Sequence, residues 1–252
     1  MCKVMRALPR WVVMVCLVSG CGGGDGGETP APAPTAEGLW IGNTNTARTA
    51  TGIVLDNGTF WVLYSAPNNS GIIAGGVQGT STSVNGSFSS FDARDFNLEG
   101  QGINNAQVAG TYSAKQLLNG TVTYPSLNQA IAFNSVYNPA YEQTPSLSTI
   151  AGTYSGNAAV LGGTDTATVF ITQNGAVTGI GSSGCTFAGT VSPHAKGNVY
   201  DISITFGGGV CSNGTNTVTG IGYFDAGSSR LYAAALNSTR TNGFIYSGFK
   251  QP

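Results

Sequence analysis

A Ser-His-Asp relay needs a histidine to carry the proton, and the 252 residues of this chain contain one, His194. It stands in Ser192-Pro193-His194-Ala195-Lys196-Gly197, a run that reads as a polar hairpin loop, so a solvated histidine is expected rather than a general base. Paired carboxylates are the other simple route to hydrolysis. The local acidic cluster is Asp92-Ala93-Arg94-Asp95, and alternation along a strand puts Asp92 and Arg94 on one face and Asp95 on the other. An arginine between two aspartates reads first as a surface ion-pair group. In a chain this poor in charge, Asp92, Arg94 and Asp95 are also a candidate recognition patch. Gly207-Gly208-Gly209 precedes Val210-Cys211 without the lysine or helix of a phosphate loop, so a bulge or loop near the cysteine is expected. No catalytic group, metal site or cofactor is expected, and the chain does not read as an enzyme.

The five cysteines sort by position. Cys2 and Cys16 fall in an N-terminal segment that reads as removable, and Cys21 stands at its end. Cys185 and Cys211 remain, and two thiols in an exported chain most simply form one disulfide. It would close a loop of about 27 residues, for which chain entropy gives roughly 3–4 kcal/mol. Two cysteines and one distant histidine are too few ligands for zinc.

Residues 1–20 read as a signal peptide. Lys3, Arg6 and Arg10 are its positive region, and Trp11 to Val18 is an apolar core too short to span a bilayer. Val18-Ser19-Gly20-Cys21 resembles the bacterial lipobox, a branched apolar residue and two small ones before an obligatory cysteine. That resemblance implies diacylglyceryl transfer to the Cys21 thiol, cleavage before it and N-acylation, which together anchor firmly. Gly22 in place of aspartate implies, by the same resemblance to lipoproteins of Gram-negative bacteria, delivery to the outer membrane. Residues 21–37 (CGGGDGGETPAPAPTAE) read as a Gly/Pro/Ala-rich tether. Removing Lys3, Arg6 and Arg10 leaves seven basic against eleven acidic residues, a net of about −4. No basic stripe survives, so no nucleic-acid partner is expected.

The elements that must position these residues read as strands. Charged residues are 8% and aromatics 10%, with 38 glycines punctuating β-branched and aromatic runs, the pattern of short strands joined by tight turns. Asn-Gly, the strongest short hairpin signal, occurs at Asn57-Gly58, Asn85-Gly86, Asn119-Gly120, Asn174-Gly175, Asn213-Gly214 and Asn242-Gly243. An internal repeat at an offset of about 110–115 residues matches Gly38–Asn43 with Gly152–Asn157, Asp56-Asn57-Gly58 with Gln173-Asn174-Gly175, and Phe133–Tyr137 with Ile245–Phe249. The expected fold is all-β, two tandem antiparallel barrels of about eight strands over 38–138 and 150–252 with a linker at 139–149. Two β-sandwiches are the alternative. Short runs rich in Gly, Ser, Thr and Asn argue against a barrel that itself spans the membrane.

Lipid cysteine, poly-Gly tether and Gly-rich eight-stranded barrels together resemble surface lipoproteins of the transferrin-binding protein B and factor H-binding protein kind. Gly184-Cys185-Thr186-Phe187-Ala188-Gly189 echoes the Gly-aromatic-Gly signature of that barrel. The resemblance implies display outside the cell and a protein partner bound through loops and barrel faces. It transfers no ligand residue. Three functions stay open: a non-enzymatic binding or adhesion module at the surface, a periplasm-facing structural or assembly lipoprotein, and a lipocalin-like carrier of a small apolar ligand. The carrier alone requires an apolar cavity of a few hundred Å³.

Overall fold

The computed structural model describes residues 34–252, so the signal segment, Cys21 and residues 22–33 of the tether lie outside the described residues. Nine strands make the first half: β1 (Gly38–Thr44), β2 (Thr49–Val54), β3 (Thr59–Ala66), β4 (Asn69–Thr80), β5 (Thr82–Val84), β6 (Ser87–Asn97), β7 (Gly102–Ser113), β8 (Leu117–Tyr124) and β9 (Gln129–Tyr137). Each pairs antiparallel with its neighbour in the order β4-β3-β2-β1-β9-β8-β7-β6-β5. Pairing of β4 with β6, from Gly75↔Asn97 to Gln78↔Arg94, closes eight of them into a barrel. β5 is a short hairpin extension of β6, turned at Asn85-Gly86 with φ of 50° and 80°, where the missing Gly86 side chain permits the tight turn.

A 3-10 turn (Pro139–Glu142) and a one-turn helix α1 (Leu147–Ile150) lead into the second half. Both start on side-chain caps: Asn138 accepts from the Ala140 amide at 2.9 Å and Ser146 from the Thr149 amide at 3.2 Å. Eight further strands follow: β10 (Gly152–Val160), β11 (Gly163–Ile171), β12 (Ala176–Gly181), β13 (Thr186–Pro193), β14 (Tyr200–Phe206), β15 (Thr217–Asp225), β16 (Arg230–Leu236) and β17 (Gly243–Lys250). They pair consecutively, and β10 with β17 closes the ring. The protein is therefore two closed eight-stranded antiparallel barrels, as the turn spacing suggests. Closure leaves no open edge among the barrel strands themselves, which a sandwich would, and only the three-residue β5 keeps one free side.

Strand alternation sorts the side chains. Along β11, Ala167, Val169 and Ile171 are buried while Thr166, Thr168 and Phe170 are exposed. Each lumen has its own core, and a third apolar cluster lies between the barrels. There Leu39, Ile53 and Leu55 from the first barrel meet Tyr141, Val199, Ile221 and Tyr223. Leu39 and Val199 are fully buried there, so the barrels are joined by a dry core as well as by the chain.

Three turn expectations fail for physical reasons, one of them at Asn242-Gly243, where Gly243 already opens β17 and Arg240, at φ 55°, makes the turn. Asn119-Gly120 lies inside β8. Gly120 faces Gly110 across the β7–β8 ladder under the Phe133 ring, where an added Cβ would come within 3.0 Å of that ring. Asn213-Gly214 sits in the long loop between β14 and β15 rather than in a two-residue hairpin. The tether also ends early. Ala36 is fully buried, the Trp40 indole donates to its carbonyl at 2.9 Å, and the Tyr112 hydroxyl donates to the Pro34 carbonyl at 2.7 Å. Residues 34–37 therefore dock against the first barrel.

Candidate functional site: the lumen of the C-terminal barrel

The inward positions of β10–β17 do not fill their barrel. They leave a cavity of about 400 Å³. Its walls are small and branched apolar side chains, among them Ala158, Ala167, Val169, Ile204, Ala233 and Phe244. Small residues on inward positions create the space: Gly222 faces Ala233 across the β15–β16 ladder, and Ala158 faces Asp165 across β10–β11. One end is closed by Ile150 of α1 with Tyr154 and Phe224, the two rings meeting edge to face at 6.1 Å between centroids. The Tyr154 hydroxyl donates to the Ile150 carbonyl at 2.8 Å, tying the strand to the helix plug.

The other end is the mouth, where polar groups gather. Asp165 sits on the rim, its carboxylate accepting from the Ser182 hydroxyl and from the Ser183 hydroxyl at 2.7 Å. Those two hydroxyls hold its pKa down, to about 2. Cys185, in the β12–β13 connection, is joined by a disulfide to Cys211 in the 207–216 loop, and the bridge fastens the two segments that flank the opening. Gly207–Gly209 open that loop, with Gly208 and Gly209 at positive φ. Val210 is 65% exposed beside it.

The N-terminal barrel has a smaller space, about 200 Å³, with a polar group inside it. Asp95 is 5% exposed and points into the lumen, where it accepts from the Tyr64 and Tyr124 hydroxyls at 2.8 Å each. Asn97 adds a bond to the Tyr64 oxygen at 3.3 Å. Burial pushes the Asp95 pKa up against the lowering effect of the two tyrosines, and burial and then the Asp95 charge push both phenols up. Arg48 lies across this mouth, 2.6 Å from Glu99 and over the Tyr64 ring.

Asp92, Arg94 and Asp95 therefore do not form one patch. A bulge between Ser90 and Ala93 turns Asp92 outward, where it accepts from the Thr80 amide at 2.8 Å. It then pairs at 3.3 Å with Arg240 of the second barrel, whose carbonyl accepts from Arg94 at 3.2 Å. Arg240 also donates to the Gln78 carbonyl at 2.6 Å. The charge that stands out in the sequence recognises the neighbouring barrel. His194 departs from its expected solvated state in the same way: its side chain is 14% exposed, with Nδ1 at 2.8 Å from Asp201 and Nε2 at 3.4 Å from Asp56 of the first barrel.

The carrier alternative requires a cavity, but no residue singled out in the sequence marks which barrel holds it. A signal existed in β16, Leu231-Tyr232-Ala233-Ala234-Ala235-Leu236, where alternation puts alanines on both faces and leaves the inner one thin.

No protein-family model matches the chain, and no curated protein does. Among solved structures, it is similar to the isotype 1 transferrin binding protein B from serogroup B Neisseria meningitidis, with 9% identity and a TM-score of 0.31 over 81% of this chain and 66% of that one. The chain thus spans just under two thirds of that protein. A putative outer membrane protein from Bacteroides fragilis NCTC 9343 matches at 14% identity and a TM-score of 0.26, over 86% of this chain and 96% of that one. A variant of transferrin binding protein B from Haemophilus parasuis Hp5 matches at 8% identity and a TM-score of 0.30, over 88% of this chain and 76% of that one.

Proposed function

We propose that this protein is a lipid-anchored outer-membrane lipoprotein that works by binding, and that its C-terminal barrel holds a small apolar molecule. The observation that carries the reading is the lumen of about 400 Å³, closed at one end, apolar along its walls and open at the other. Burial of an apolar molecule contributes about 25 cal/mol per Å² removed from water, and ligand pockets of this size and lining are the common kind. Lipid on Cys21 would hold the chain at a membrane, which is where apolar molecules reside.

The test is fluorescence titration of the mature chain with diphenylhexatriene, a hydrocarbon without polar atoms. Saturable binding is expected, and Ala233→Phe should abolish it by filling the lumen while the far-ultraviolet spectrum stays unchanged. Absence of saturable binding by the unaltered chain sinks the reading.

A second reading, display of the N-terminal barrel to a protein partner at the cell surface, is favoured by one outward stripe. Ile41, Val136 and Leu117 are neighbours across β1, β9 and β8 and are 41%, 55% and 45% exposed. Protease shaving of intact cells tests it, since a chain facing the periplasm would survive.

A further inference from the structure

The cavity of the C-terminal barrel is lined from its rim to its floor by single strands. On β11 the inward positions Asp165, Ala167, Val169 and Ile171 all line it, with Asp165 at the mouth and Ile171 paired with Gly152 just after the α1 plug. On β14, three strands away round the ring, the lining runs from Phe206 at the mouth to Tyr200 at the floor. Both spans cover six residue steps, so at about 3.3 Å per residue and a strand tilt of about 40° the lumen is about 15 Å deep.

Spread over that depth, the volume of about 400 Å³ gives a mean section of about 27 Å². Apolar carbons in contact lie about 4 Å apart, so one extended hydrocarbon chain takes about 16–20 Å² and two side by side about twice that. The section admits one chain and not two. The phenols toward the floor are already engaged: Tyr154, Tyr200 and Tyr246 donate to the Ile150, Ser146 and Ala167 carbonyls. The charged and hydroxyl groups of Asp165, Ser182 and Ser183 stand at the rim, so a polar end belongs there and a hydrocarbon tail belongs below.

We propose that the lumen takes one unbranched hydrocarbon chain, tail first, and that the floor of Ile150, Tyr154 and Phe224 limits its length. An extended chain with C–C bonds of about 1.5 Å advances about 1.25 Å per carbon, so the limit falls at about 12 carbons. This rests on the reading that the barrel holds an apolar molecule, and it adds the shape and length of that molecule.

The experiment is displacement of diphenylhexatriene from the mature chain by straight alkan-1-ols of six to sixteen carbons, each kept below its aqueous solubility. Affinity should rise about fourfold with each added methylene and level off between ten and fourteen carbons, where the chain meets the floor. 2-Butyloctan-1-ol divides the twelve carbons of dodecan-1-ol between two arms, and it should compete at least about tenfold more weakly. Ile150→Ala should move the levelling point up by about two carbons, and the series on the unaltered chain carries the test if that variant does not fold. A levelling point outside that window, an affinity that keeps rising, equal competition by the branched isomer, or an unmoved levelling point in folded Ile150→Ala overturns the inference and leaves the apolar reading standing. Failure of the probe and of every alcohol to bind overturns both.

Discussion

In the N-terminal barrel the strands are tied from inside. Asp95 on β6 holds Tyr64 on β3 and Tyr124 on β8, so one carboxylate spans the lumen and much of the interior is spent on the brace. In the C-terminal barrel the extra tie is outside. The Cys185–Cys211 disulfide joins two connections at the rim, and the inward positions are left to small apolar residues. The lumens differ accordingly, about 200 against 400 Å³. A barrel stapled at its rim can keep a wide empty middle, whereas one braced across its middle keeps a smaller one.

The largest expected effect tests the inner brace. Asp95→Ala leaves two buried phenols without their acceptor, and each unpaired group costs about 1–3 kcal/mol, so a loss of about 4 kcal/mol is expected. Trp40 and Trp61, both in the first barrel, make tryptophan fluorescence the measurement: its unfolding transition should move to much lower denaturant. A shift smaller than the one from breaking the disulfide would break the comparison, because the brace would then not be the main fastener.

Cys211→Ser paired with Cys185→Ser comes next. A loop with a sequence separation of 26 gives about 3.5 kcal/mol by chain entropy, and less where the unfolded state is already compact. Hydrogen exchange should rise in residues 181–187 and 207–216 and stay low in β6–β8. Faster exchange in the N-terminal lumen would show that the staple serves both barrels.

The seam between the barrels is expected to contribute less. Arg240→Ala removes donors to the Gln78 carbonyl and to Asp92, and a cost of about 1 kcal/mol follows from one charge-assisted bond and one weak, half-exposed pair. Urea unfolding should show a smaller midpoint with an unchanged slope. A changed slope would mean that the barrels had come apart into separate transitions.

The fold was legible where a local rule decides it. Asn57-Gly58, Asn85-Gly86 and Asn174-Gly175 sit in turns between consecutive strands because their backbone needs are met within two residues. Asn119-Gly120 misleads because the same pair also lets two strands approach beneath an aromatic ring, a demand set by Phe133 from another strand. The site was less legible still. Nothing around Asp92 or His194 names a partner more than a hundred residues away, so the first reads as a local ion pair and the second as solvated. An empty lumen is a sum over eight strands, to which the alanine run of β16 alone gives a local sign.

The smallest effect is a pH dependence at the seam. Burial lowers the His194 pKa, but the hydrogen bonds and charges of Asp201 and Asp56 outweigh it, and the net movement is upward from 6.5. Lys196, 3.7 Å from Asp56, shares that carboxylate. A histidine whose folded value is raised binds its proton more tightly when folded, so its stabilisation is complete below the unfolded value and fades as pH rises through the folded one. The melting temperature of the unaltered chain should therefore exceed that of His194→Gln most clearly near pH 5.5, with the gap closing by pH 8.5. Asp165→Asn, at the far rim of the second barrel, should show no such closing. A His194→Gln gap that is constant or grows toward pH 8.5 would mean that the ring is held neutral by packing, and that the seam rests on Leu39, Ile53 and Val199 alone at that end.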